Sequence, residues 1–247
     1  MRPTRSALPL LPLRPARWWR PVRGLLAAVA GALALLLAVS APPAAAGTSG
    51  AGAERAAAPL PLYGGDMLYS RSGRCLLSFN AYRGRAQHGI IPADCGPVGT
   101  QWYRDSALTT PVGATSHTSR VYAVISYGDG VDARPAVRQG TRIIGLTGMR
   151  TPVLGQSICH TSVVSGLTCG TVTGLNQTVV FPGGVITGLI RATTCAHPID
   201  MGAPALVGSQ AVGFLLGGSG NCPTGGTSFY QPLAPVLATF GLTLLPG

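Results

Sequence analysis

From Gly64 onward the chain alternates short apolar runs with clusters of Gly, Pro, Asn and Asp. Runs rich in Val, Ile, Thr and Tyr, bounded by such breakers, read as β-strands. The clearest lie at Cys75–Tyr82, Val121–Tyr127, Gly170–Phe181, Val185–Ala192 and Ala211–Leu216. Only Gln231–Phe240 has helical spacing, with Leu233, Val236 and Leu237 on one face. Many short strands and one terminal helix predict an all-β barrel or sandwich, with two barrels an option for this length.

The first 46 residues follow a different pattern. Six Arg and no acid precede Leu25–Val39, an unbroken run of 15 small and apolar residues, and Ala44–Ala46 supplies an A-x-A site. This is the layout of a secretory signal peptide over 1–46. The run is short for a bilayer span, which takes about 20 residues. An uncleaved membrane anchor is the second reading, and with no Cys after the run a lipid anchor is not expected. Residues 47–62 are rich in Ala, Gly and Pro without a period and read as a flexible stalk. The folded domain is then 63–247, and the expected location is secreted, extracellular or in the cell envelope.

Charge matters less than it first suggests. The whole chain is +11, but six of its 18 Arg lie in the leader and all seven acids lie beyond it, which leaves about +5. Arg134, Arg138 and Arg142 are spaced like a polyanion site, yet scattered surface charge explains them as well, so no nucleic acid is expected. Six Cys, all in the exported part, read as three disulfides. No C-x2-C or H-x3-H spacing occurs among the Cys and the four His, so neither a metal nor a cofactor is expected. His88 and His117 carry no motif. Asn176–Thr178 fits a glycosylation sequon, discounted for a bacterial export.

Five motifs in fixed order carry a resemblance: GGDMLYSRSGRCLLSFN (64–80), DSALTTPVGATS (105–116), ICHTSVVSGLTCGTVTGLN (158–176), CAHPIDMGAPAL (195–206) and AVGFLLGGSGNCPTGGTSFYQPL (211–233). Together they resemble the bacterial chymotrypsin-like serine peptidases of the streptogrisin and α-lytic type, across about Tyr63–Leu245. The resemblance implies two packed six-stranded antiparallel barrels, a cleft between them and a C-terminal helix. It also implies the pairings Cys75–Cys95, Cys159–Cys169 and Cys195–Cys222.

Such peptidases use a Ser nucleophile, a His base and an Asp that orients the His. The resemblance sets Met201 at the nucleophile position, Asp94 at the base and Val121 at the orienting acid. Met has no ionisable proton and cannot carry an acyl group. Ile199 stands where Gly shapes the backbone oxyanion hole, and a β-branched residue resists the angles Gly permits. His197 and His160 are placed near the cleft, but no Ser falls in the nucleophile turn. Only 47–62 stands where many relatives carry a substantial propeptide, which fits a chain with no activity to restrain. Asp200, retained beside the missing Ser, is predicted to contact His160, which aligns with the family's basic partner. That link would weaken as pH rises through the histidine's pKa. Phe214, Gly217, Gly218, Ser219 and Gly220 match the strand that pairs with substrate backbone and are candidates for a peptide groove.

Three readings follow. The first is an exported, monomeric pseudo-peptidase that binds an extended peptide or another exported protein, touching a membrane only through an uncleaved leader. The second is a hydrolase, such as a serine-type endopeptidase, with rearranged active-site residues. The third is a surface structural domain without a ligand.

Overall fold

The computed structural model describes residues 58–222 and 224–247; the expected signal peptide and most of the expected stalk lie outside the described residues. The first strand begins three residues before the expected domain start. Its Leu62 is fully buried, so Leu60–Leu62 belong to the fold and not to the stalk.

Ten strands form the N-terminal half: β1 (Leu60–Gly64), β2 (Met67–Ser70), β3 (Gly73–Leu76), β4 (Phe79–Arg83), β5 (Ala86–Pro92), β6 (Gln101–Tyr103), β7 (Pro111–Thr118), β8 (Tyr122–Tyr127), β9 (Val131–Gln139) and β10 (Arg142–Gly145). Seven of them make a curled sheet in the order β3-β2-β6-β7-β8-β5-β4. The remaining three pair as β1-β9-β10. Side chains of β4 bind that small sheet: Asn80 Nδ2 donates to Leu62 O (2.7 Å) and Arg134 O (2.9 Å), and Tyr82 Oη donates to Ala133 O (2.6 Å).

The second half comprises β11 (Gly148–Met149), β12 (Ser157–Ser162), β13 (Gly166–Phe181), β14 (Gly184–Ala192), β15 (Pro204–Val207), β16 (Gln210–Asn221), β17 (Gly225–Pro232) and the helix α1 (Leu233–Phe240). The order β16-β15-β12-β13-β14-β17 returns to its start, because β17 also pairs with β16. Six antiparallel strands therefore close a barrel, and closure removes the exposed edges of an open sheet. The expected double-barrel architecture holds, with the first barrel more open than the second.

Alternation along the strands creates three apolar clusters. Leu68, Leu77, Ile91, Trp102 and Ile125 fill the first barrel. Ile158, Val172, Ile190, Leu215 and Tyr230 fill the second. Between them, Phe79, Ile90 and Val124 of the first half meet Leu206, Phe214 and the helix residues Leu233, Val236 and Leu237. Each such side chain contributes about 1.5–3 kcal/mol when fully buried. The three disulfides form as the resemblance implied, closing separations of 20, 10 and 27 residues.

Candidate active site: a cleft between two barrels

Two tight turns and one strand entrance build the site. The first turn, Ala93–Cys95, follows β5 and is tethered by the Cys75–Cys95 bond. Ala93 N–H donates to Val121 O at 3.0 Å, which sets Asp94, an exposed residue, beside the start of β8. The second turn, Pro198–Asp200, lies between β14 and β15. Its next residues are Met201 and Gly202, the latter at φ +89°; a Cβ there would lie 2.9 Å from Pro92 Cδ and 3.0 Å from Leu76 O. Only Gly permits that approach of the second turn to the first. The stretches holding Asp94, Val121 and Met201, 107 residues apart at the extremes, thus come together.

Within the second turn the N–H groups are occupied locally. Asp200 N–H donates to His197 O (2.8 Å) and Met201 N–H to Pro198 O (3.4 Å). The Asp200 carboxylate is fully buried and accepts from two backbone donors, Val163 N–H at 2.7 Å and His197 N–H at 3.0 Å. These bonds supply what a buried charge requires. The expected His160 contact is not made. His160 is buried inside the second barrel with Nδ1 2.7 Å from Tyr230 Oη. The alternation of β12 points it at the barrel interior, where burial favours a neutral ring bonded to a hydroxyl over an ion pair.

Met201 walls a cavity of about 240 Å³, together with Phe181, His197, Pro198, Leu216, Gly217 and Gly218. The pocket is apolar apart from His197, whose Nε2 lies 3.2 Å from Cys222 Sγ. Cys195, His197 and Cys222 bring three ligand-type atoms within 4.8 Å of one another, but both sulfurs are joined in the disulfide and are not free to bind a metal. Of the groove candidates, Gly217 borders the pocket and Gly218 and Ser219 are exposed, while Gly220 pairs with Gly226 in the ladder. Phe214 is corrected: it has no exposed surface and packs in the inter-barrel core. Phe181 and, just beyond the pocket, Arg120 were not anticipated, because a strand-ending Phe and a lone Arg carry no motif.

The edge of β16 is partly open. β15 pairs with it only as far as Phe214, and Leu215 is bonded to Gly202 and Ala203. Beyond Leu215 no strand among the described residues pairs with that edge. The Arg triplet is not a cationic patch: Arg134 pairs with Asp132 (2.5 Å), and Arg138 pairs with buried Asp66 (2.6 Å) and stacks on Tyr63. His88 and His117 take no part in the cleft; His88 Nδ1 lies 3.5 Å from Ser126 Oγ, and His117 is exposed near Phe240.

Two packed β-barrels whose turns meet beside a pocket, with a helix at the C-terminus, define a chymotrypsin-like protein. No family model matches the chain. It is 35% identical over 173 residues to serine protease 2 of Streptomyces fradiae, covering 67% of this chain and 99% of that protein. It is 38% identical over 198 residues to streptogrisin-C of Streptomyces griseus, covering 78% of this chain. Among solved structures, the α-lytic protease homologue N4 superposes with a TM-score of 0.68 at 40% identity, covering 75% of this chain and all of that one. The chain belongs to the bacterial chymotrypsin-like serine peptidase family of the streptogrisin type. It spans 43% of the length of streptogrisin-C and 60% of that of streptogrisin-A.

Proposed function

We propose that this protein is an exported family member that binds extended peptides in its cleft and does not cleave them. The observation that carries this reading is Met201, a thioether on the wall of a formed pocket where acyl transfer needs an ionisable nucleophile. On the adjoining stretches, Asp94 stands where the family has an imidazole base, and Val121 offers no carboxylate where the family has the orienting acid. Met201 N–H, committed to Pro198 O, is turned away from the role of an oxyanion donor.

What remains suits binding. The pocket has room for one apolar side chain, and the open edge of β16 offers main-chain groups for strand addition, a mode of recognition that needs no triad. Three disulfides support an oxidising compartment.

The test is to incubate the purified protein with an unfolded protein substrate and a fluorophosphonate probe, and to read products and adducts by mass spectrometry. Neither cleavage nor adduct is expected, while an apolar extended peptide binds saturably. Cleavage abolished by His197→Ala or Asp94→Ala would establish the rearranged hydrolase instead. Inertness without saturable peptide binding would leave a structural domain.

A further inference from the structure

The tip of the β13–β14 hairpin connects the pocket to the opposite barrel. Phe181 walls the pocket and lies on Gly217, where an added Cβ would meet Phe181 Cε1 at 3.2 Å. Its ring meets Phe229 edge-on, with centroids 6.5 Å apart. Two residues further on, Gly183 O accepts a hydrogen bond from Arg120 Nη2 at 3.2 Å. Gly184 makes room for this contact: at φ +116° it has no side chain, and a Cβ would fall where the guanidinium sits. Arg120 directly precedes Val121, whose carbonyl accepts from Ala93 N–H beside the first turn. The other face of the tip exposes Val180 (78%) and Val185 (48%), directly paired, so Phe181 and Arg120 supply the tip's contacts to the cleft.

Arg120 is exposed and makes no ion pair among the described residues. A guanidinium has five donors in a rigid fork, and one carbonyl is a poor match for it. A carboxylate engages two donors at once through charge-assisted bonds roughly twice as strong as neutral ones.

We propose that Arg120 sets the ligand class of the cleft: it latches the hairpin tip in the free protein, and on binding it exchanges Gly183 O for a carboxylate of an extended peptide whose apolar side chain fills the pocket. This rests on the peptide-binding reading. Spacing follows from chain geometry. Gly183 is two residues from Phe181, at most about 7 Å along the backbone, and Arg120 Nη2 lies a further 3.2 Å from Gly183 O. An extended ligand advances about 3.3 Å per residue, so its acid falls two or three residues from the apolar anchor.

The experiment uses uncharged seven-residue peptides with one Leu, and twins carrying Glu or Gln two or three residues before or after it, titrated calorimetrically into the whole protein. In one placement the Glu peptide binds about threefold to tenfold tighter than its Gln twin, a gain that shrinks in high salt. Arg120→Ala removes the preference and speeds amide exchange at Gly183 and Gly184 in the free protein, while Arg120→Lys keeps part of it. Saturable binding with Glu and Gln twins equal in every placement, or a Glu preference surviving Arg120→Ala, overturns the role of Arg120 and leaves the binding cleft standing. No saturable binding by any peptide overturns both.

Discussion

His160 shows how burial reverses the sign of a pH effect. It has no exposed surface, its Nδ1 bonds to Tyr230 Oη, and its Nε2 has no partner among the described residues. Burial pushes its pKa down from 6.5 to about 4, against a smaller upward pull from Asp200. A folded pKa below the unfolded one means that the unfolded chain takes the proton first. The neutral ring's contribution is therefore complete above pH 6.5 and is lost as pH falls toward 4, up to about 3 kcal/mol. Urea unfolding at pH 7.5, 5.5 and 4 should show this fall, and His160→Phe should flatten it; equal slopes for the two proteins would refute the assignment. An ion pair with Asp200, the arrangement the aligned motifs imply, would have weakened with rising pH instead. The motif singled out both residues but not their partners, because Tyr230 reaches His160 across the barrel interior from a strand 70 residues away. Asp200 is answered by backbone N–H groups, which no sequence pattern displays.

At the level of elements, legibility followed the strength of the alternation. The runs at Val121–Tyr127 and Val185–Ala192 became β8 and β14 to within a residue. Cys75–Tyr82 instead divides into β3 and β4 at Leu77–Ser78, where the chain crosses beside Gly64 and Ser78 O would lie 2.7 Å from an added Cβ. The run Ala211–Leu216 continues through Gly217–Asn221, in keeping with the strand the resemblance implied for Gly217–Gly220, and from Gly217 on it pairs residue for residue with β17. The helix starts at Leu233, two residues later than expected, behind Pro232 at its N-cap. Phe214 illustrates the cost of assigning a whole strand to one role, since alternate residues of β16 face different clusters. It joins the helix to both barrels, so Phe214→Ala should cost about 3–5 kcal/mol in urea unfolding. Peptide affinity of the folded variant should stay within about twofold, because Phe214 does not border the pocket; a large loss of affinity with stability intact would return it to the groove.

For the molecule as a whole, the proposed binding role carries a prediction about repair: the scaffold should accept a catalytic triad at the three positions the family alignment assigns to one. The two turns and the entrance of β8 are brought together by the Ala93–Val121 bond, the Cys75–Cys95 tether and the close approach of Gly202 to Pro92, none of which depends on the identity of residues 94, 121 or 201. If that frame is intact, combining Asp94→His, Val121→Asp and Met201→Ser places a base, an orienting acid and a nucleophile on the stretches that this frame holds together. A fourth change, Ile199→Gly, is needed because Met201 N–H is held in the Pro198–Asp200 turn, and the flexibility of Gly lets that peptide turn outward. Because triad members act as a unit, single and double replacements should remain inert. The fourfold variant should cleave an unfolded substrate and take a fluorophosphonate adduct at position 201. It should also lose both on returning His to Asp at position 94. A variant that folds, binds peptide and yet neither cleaves nor reacts would mean that the three positions do not correspond to the family's triad.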